Sequence, residues 1–245
     1  MPPPPLACSE TIACMPNLTR GQPSPLKSSP DGKQLIYALG RTVVIREIAP
    51  SDRMLKAQLY TGHPCDVTAV AMAPSGCYMA TGDKNGTLRI WACDNPEQIL
   101  KLETAIFGGA ILDIAWSADN ARVCAVGDGR EIYGKVIMWD SGNSVGEISG
   151  HTKKANSCAF KSTRPFRICT GGEDGLVNFY EGPPFKFKAT PSRHTNFVNV
   201  VRYSPDDMMI KVYDGKDGTF LKELKPHSGS IYGACWSADS SSIMT

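Results

Sequence analysis

The chain has 245 residues, 42% apolar and 20% charged, and its 26 basic and 24 acidic side chains leave a formal net charge of +2. This composition suits a globular protein with a full core and excludes disorder as the default reading. The charges are spread along the whole length, so no basic tract points to nucleic acid or to a membrane surface.

Residues 1–18 begin with Met1 and four prolines and read as a disordered, Pro-rich stretch. They carry no basic region followed by a long apolar run, and nothing later approaches the roughly 18 apolar residues of a membrane span. The nine cysteines are odd in number and show no Cys-x-x-Cys spacing. Most sit among strand-like residues, as in Val123-Cys124-Ala125 and Ile168-Cys169, where a free thiol serves as a small apolar filler. A reducing compartment, and hence a cytoplasmic location, is the expectation.

From residue 19 onward the chain reads as an all-β array. A first piece spans residues 30–48. The next unit shows the repeat clearly: Gly62-His63, then Val67-Thr68-Ala69-Val70-Ala71, a Pro74-Ser75-Gly76 turn, Tyr78-Met79-Ala80-Thr81-Gly82, an Asn85-Gly86 turn, and Thr87-Leu88-Arg89-Ile90-Trp91. The pattern returns over residues 111–140 and 150–181, and in damaged form after His194 and His227. His63 and His151 lie 88 residues apart, two steps of 44, and His194 follows 43 later. That period belongs to a four-stranded propeller blade. The step from His194 to His227 is only 33, and Pro205 stands 8 residues from Tyr213 where Pro74 stands 17 from Trp91. One strand and its turn are expected to be missing there. The predicted repeats are 19–58, 59–104, 105–148, 149–190, 191–224 and 225–245. They give an incomplete propeller of about five to six blades.

His63, His151, His194 and His227 each take the blade-opening position and are expected to hydrogen-bond within the blade, with Asp174 as one acidic partner. Dispersed over separate blades, they make a poor metal cluster. Trp91 and Trp139 are read as core anchors with their ring N–H bonded inside the blade, a place taken by Tyr180 and Tyr213 in later blades. No Gly-x-Ser-x-Gly, phosphate-loop or His-Glu-x-x-His motif is present. Gly127-Asp128-Gly129 lies between strands, not before a helix, which argues against a dinucleotide site. Phe185-Lys186-Phe187-Lys188 could stack single-stranded bases, but its period of two fits an outer strand better. No catalytic residue, metal, cofactor, small-molecule substrate, nucleic acid or membrane partner is expected.

Segments that depart from the repeat carry the functional information. Ala125 to Trp139 spans 14 residues where Ala80 to Trp91 spans 11, with the added length in residues 127–134. Residues 181–188 hold two prolines, and Arg164-Pro165-Phe166 precedes the Glu173-Asp174 turn. Together with Thr19-Arg20-Gly21, Trp139-Asp140-Ser141-Gly142, Ser144-Val145-Gly146-Glu147, Asn196-Phe197-Val198-Asn199 and Tyr213-Asp214-Gly215, these segments resemble the first propeller of the actin-interacting protein 1 (WD-repeat protein 1) family. That family has two seven-bladed WD40 propellers and works with ADF/cofilin to take actin filaments apart. The resemblance implies a non-enzymatic partner of actin filaments and ADF/cofilin at the actin cytoskeleton. It places the contact surface at Glu131, Glu173, Phe187 and Phe197, with Arg130 and Lys186 beside them. Blade geometry alone puts Glu131, Glu173 and Phe197 on one face. The family's second propeller and the last blades of the first have no counterpart, and residues 1–14 look unlike it. A truncated product, a family member without activity and a generic WD40 scaffold are therefore the alternatives.

Overall fold

The computed structural model describes residues 23–48, 57–190, 194–203, 233–237 and 242–244. Four successive antiparallel sheets of four strands each account for most of them. The first blade is β1 (Leu26–Ser28), β2 (Gln34–Leu39), β3 (Thr42–Glu47) and β4 (Ala57–Tyr60). The second is β5 (Val67–Met72), β6 (Tyr78–Asp83), β7 (Thr87–Ala92) and β8 (Leu100–Ala105). The third is β9 (Ile111–Trp116), β10 (Arg122–Gly127), β11 (Gly134–Met138) and β12 (Ser144–Glu147). The fourth is β13 (Ala155–Phe160), β14 (Arg167–Gly172), β15 (Val177–Glu181) and β16 (Lys186–Ala189). A hairpin of β17 (Cys235–Trp236) and β18 (Ile243–Met244) follows. The expected loss of a strand after His194, His227 itself, Tyr213 and residues 1–18 lie outside the described residues.

In the second, third and fourth blades burial falls from the inner to the outer strand, whereas the short inner strand of the first, β1, is largely exposed. Every residue of β13 is buried, whereas β8 and β16 are mostly exposed. An inner strand is covered on both faces by its neighbours, so it reads as a continuous apolar and small-residue run. The core accordingly lies between blades. Tyr60, Val43, Met79 and Trp91 join the first two blades; Leu88, Ile90, Ile111 and Ile114 join the second and third; Val126, Ile148, Ile168 and Phe185 join the third and fourth. A fourth cluster joins Cys169, Val177 and Phe179 to Val198 and Val201. Each such Ile or Leu contributes about 1.5–3 kcal/mol that a lone blade would forgo.

The turn between the second and third strand of a blade docks the next blade. Gly86 has φ +85° and accepts the Ile106 N–H at 2.9 Å; Gly175 has φ +74° and accepts the His194 N–H at 2.7 Å. A side chain at Gly86 would also collide with the Phe107 carbonyl, so both the left-handed backbone and the close approach require glycine.

Pairing register corrects the reading of the third blade. Trp91 pairs with Met79 and Tyr180 with Ile168, but the residue opposite Val123, the equivalent of Met79, is Ile137. Trp139 lies two residues on, past the end of β11, half-buried and tilted against Tyr78 at 4.5 Å. It is not the anchor its sequence position suggested. The inserted turn is correspondingly shorter. Seven residues separate the paired Val126 and Gly134, against five between Gly82 and Leu88 and five between Gly171 and Val177, so two residues are added instead of three.

Candidate functional site

Two blades carry a buried polar network that fixes the loops above it. In the second, His63 Nε2 lies 2.6 Å from Thr81 Oγ1, and Trp91 Nε1 donates to the same oxygen at 3.2 Å. The Thr81 hydroxyl also lies 3.5 Å from Arg89 O, and His63 Nδ1 faces Asp83 at 3.7 Å. Burial lowers the His63 pKa to about 4, with the Arg89 charge assisting and Asp83 opposing. In the fourth blade His151 Nε2 lies 2.7 Å from Thr170 Oγ1 and Nδ1 lies 3.0 Å from Asp174, while the Tyr180 hydroxyl donates to the Ser149 carbonyl at 2.5 Å. Burial also lowers the His151 pKa, against the pull of Asp174. In the third blade the register puts Phe107, Ala125 and Ile137 at the His, Thr and Trp positions, so the whole set is replaced by apolar groups. His194 differs from the other two described histidines in being exposed. The segment after it, residues 198–203, forms no strand where β13 follows His151. Among the described residues no group of three or more His, Cys, Asp and Glu is placed to hold a metal ion.

Above these networks the loops are tied to one another. Glu131 and Arg130 are exposed at the tip of the 127–133 turn, which is closed by the Gly127 N–H donating to Tyr133 O at 2.9 Å. The Tyr133 hydroxyl donates to Thr152 O at 3.2 Å, joining this turn to the loop that opens the fourth blade. From that loop Lys154 pairs with Glu173 at 3.1 Å, and the Lys153 ammonium stands 6.0 Å from the Phe197 ring centroid. The Val198 N–H donates to Gly172 O at 3.0 Å and carries Phe197 to the Glu173 turn. Phe197 remains 57% exposed. Glu131, Glu173 and Phe197 thus stand on three loops bonded in series on one face of the blades.

Phe187 and Lys186 come from the outer strand. Phe187 is 45% exposed, meets Tyr180 edge-on at 6.1 Å, and its ring lies against Gly150, where an added Cβ would stand 3.0 Å away. Lys186 is exposed opposite Glu181, at the end of β15 remote from Glu173. The structure therefore brings Phe187 to the loop that carries Lys153 and leaves Lys186 apart. The two prolines of residues 181–188 have a packing role. The turn they form lets Phe185 donate its N–H to Val145 O at 3.0 Å, covering the free edge of β12. Tyr133, Lys153 and Lys154 were not picked out in the sequence, because each works through a contact between separate loops.

The WD domain, G-beta repeat family matches residues 55–92 and 142–181. These segments include the Thr–Trp pair of the second blade and the His–Thr–Asp set of the fourth; the third blade, which has lost that set, falls almost wholly between them. The chain therefore carries WD repeats.

Its β-propeller blades are also matched along nearly the whole sequence by curated relatives. It is 45% identical to chicken (Gallus gallus) WD repeat-containing protein 1, over 98% of this chain and 41% of that protein. It is 43% identical to Drosophila melanogaster actin-interacting protein 1, over 100% of this chain and 42% of the relative. It is 44% identical to the 66 kDa stress protein of Physarum polycephalum, over 90% of this chain and 38% of the relative. The resemblance read from residues 181–188 and their companions is borne out. The chain spans about two fifths of the length of these relatives.

Proposed function

We propose that this WD-repeat chain binds actin filaments and promotes their disassembly together with ADF/cofilin, at the actin cytoskeleton in the cytoplasm, by binding alone and without catalysis. The reading rests on the shared face of Glu131, Glu173 and Phe197 in a chain 43% identical to a protein named actin-interacting protein 1. An exposed phenylalanine beside an ammonium and a carboxylate on bonded loops suits a protein interface, in which an aromatic anchor is ringed by charges that set orientation. Phe187 extends the apolar part of that surface toward the outer strand, and Arg130 adds positive charge at its margin, while Lys186, at the far end of β15, stands outside it. The many small, tied turns hold the anchor without a large ordering cost on association.

The test is co-sedimentation of the purified chain with actin filaments, with and without cofilin, beside a Glu131→Ala, Phe197→Ala double variant. Cofilin-dependent pelleting that drops at least tenfold in a variant with an unchanged melting curve is the expected result. Equal pelleting by the folded variant would remove this face from the reading, and no pelleting by the folded parent chain would remove the function.

A further inference from the structure

At the end of the second blade remote from Glu131, the β6–β7 ladder continues one step beyond its last paired residues. Tyr78 pairs with Ala92, and the Cys93 N–H donates to Cys77 O at 2.9 Å. Cys77 and Cys93 are therefore direct cross-strand neighbours, and side chains of such a pair leave the sheet on the same side. Their sulfurs confirm it: Cys77 Sγ lies 3.6 Å from Ser75 O, and Cys93 Sγ lies 3.4 Å from Gly76 O, both over the same turn. Both thiols are free. Directly paired residues hold their α-carbons at about 5.5 Å, inside the 4.4–6.8 Å that a disulfide spans. The same place is taken by Lys33 and Ile48 in the first blade, Ala121 and Trp139 in the third, and Phe166 and Gly182 in the fourth, each with the same N–H to carbonyl bond. Among the described blades only the second puts two thiols there.

We propose that Cys77 and Cys93 form a reversible redox site, closed to a disulfide by hydrogen peroxide and reopened by a thiol reductant. Access divides the roles. Cys77 is half-buried and open to a small oxidant, whereas Cys93 is 7% exposed, and burial pushes its thiol up to about 12, with Asp94 and Cys77 adding to the shift. Cys77 is the thiol the oxidant reaches: its sulfur gives up its proton and attacks one peroxide oxygen, the S–O bond forms as the O–O bond breaks, and the departing hydroxide takes up that proton and leaves as water. Cys93 sulfur then attacks the Cys77 sulfenic acid. The S–O bond breaks, and the released hydroxide carries off the Cys93 proton as a second water. Two thiols are oxidised by two electrons and one peroxide is reduced to two waters. The new bond pins the 73–76 turn to the segment leaving β7. It lies at the opposite end of the blade from Glu131, so it stands independently of the proposed actin surface.

The experiment treats the full chain with a small molar excess of hydrogen peroxide, alkylates the remaining thiols and maps the peptides without reduction. The expected product is a peptide pair joined through Cys77 and Cys93, lost again after dithiothreitol. In Cys93→Ser, a dimedone adduct at Cys77 is expected instead, because no resolving thiol remains. Cys77 and Cys93 both alkylated after exposed Cys235 has been oxidised, or Cys77 joined to a different cysteine, would overturn the proposal.

Discussion

Arg202 reaches back 89 residues in sequence to donate to Asp113 Oδ2 at 2.9 Å, and Lys27 holds the other oxygen of the same carboxylate at 2.9 Å. The Ser157 hydroxyl and the Cys158 N–H add donors at 2.7 and 3.2 Å. One carboxylate on the inner strand of the third blade thus ties together the inner strand of the first, that of the fourth, and the 198–203 segment. Burial by itself would push its pKa up, but the charges of Arg202 and Lys27 and these hydrogen bonds overcome it and hold the carboxyl well below its usual range.

Replacing that carboxylate by an amide leaves two half-buried cations without their counter-charge. Asp113→Asn is expected to cost about 3–5 kcal/mol at pH 7, read as a lowered urea midpoint. Because the folded pKa lies below the unfolded one, the carboxylate's contribution is complete above about pH 4 and declines as the pH falls further toward the folded value. Acid titration of stability below pH 4 should therefore be shallower in Asp113→Asn than in the parent chain. Equal slopes would show that another carboxyl governs the acid limb.

His63 shifts stability in a different pH window. Its folded pKa of about 4 lies below the unfolded value near 6.5, so the unfolded chain takes up the proton first as the pH drops. Its contribution is complete above pH 6.5 and fades between 6.5 and 4, by about 3 kcal/mol over the window. Urea unfolding at pH 7 and pH 4.5 should show a smaller difference in His63→Gln than in the parent. His151, shifted in the same direction, supplies the dependence that remains.

The two tryptophans separate local pattern from register. Trp91 is fully buried, stacks on Tyr60 at 4.1 Å with 7° between the planes, and bonds Thr81. Trp91→Phe should cost about 2–3 kcal/mol, from lost volume and an unmatched Thr81 oxygen. Trp139→Phe should cost less than about 1 kcal/mol, since its ring is half-buried outside the ladder. Thermal melts of the two variants in parallel decide this, and comparable losses would contradict the register.

That contrast marks what could be read from residues alone. Strand order, the turn at Asn85-Gly86 and the inner-strand apolar runs follow from local alternation and turn chemistry, and the structure has them where the repeat put them. Trp139 misled because Trp-Asp after an apolar run imitates the end of a third strand. Its true place depends on pairing with β10, and Phe107, Ala125 and Ile137 show that the whole polar set had been exchanged at once. The Asp113 cluster was invisible for a different reason: its members lie 86 and 89 positions apart, and each alone reads as an ordinary strand or loop charge. The loop contacts of Tyr133 and Lys153 are of the same kind, since no spacing rule links residues on separate turns.

Within the proposed actin-binding face the two glutamates should not be equal. Glu173 is half-buried and already engaged by Lys154 at 3.1 Å, so a partner that used it would first have to displace that ammonium. Glu131 is exposed at the tip of the two-residue insertion, next to Arg130. Its carboxylate can meet a partner cation without breaking an internal pair, and it forfeits less hydration at a rim than in a core. Glu131→Ala is therefore expected to weaken cofilin-dependent filament binding by about tenfold, the equivalent of about 1.4 kcal/mol, and Glu173→Ala by less than about threefold. Adding salt should narrow the gap between Glu131→Ala and the parent, because the interaction removed is a screened surface charge pair. Co-sedimentation isotherms for the parent and both single variants at two ionic strengths measure all of these quantities. A larger loss from Glu173→Ala would mean that the Lys154 pair opens on binding, and would move the centre of the interface from the 127–133 turn to the turn of the fourth blade.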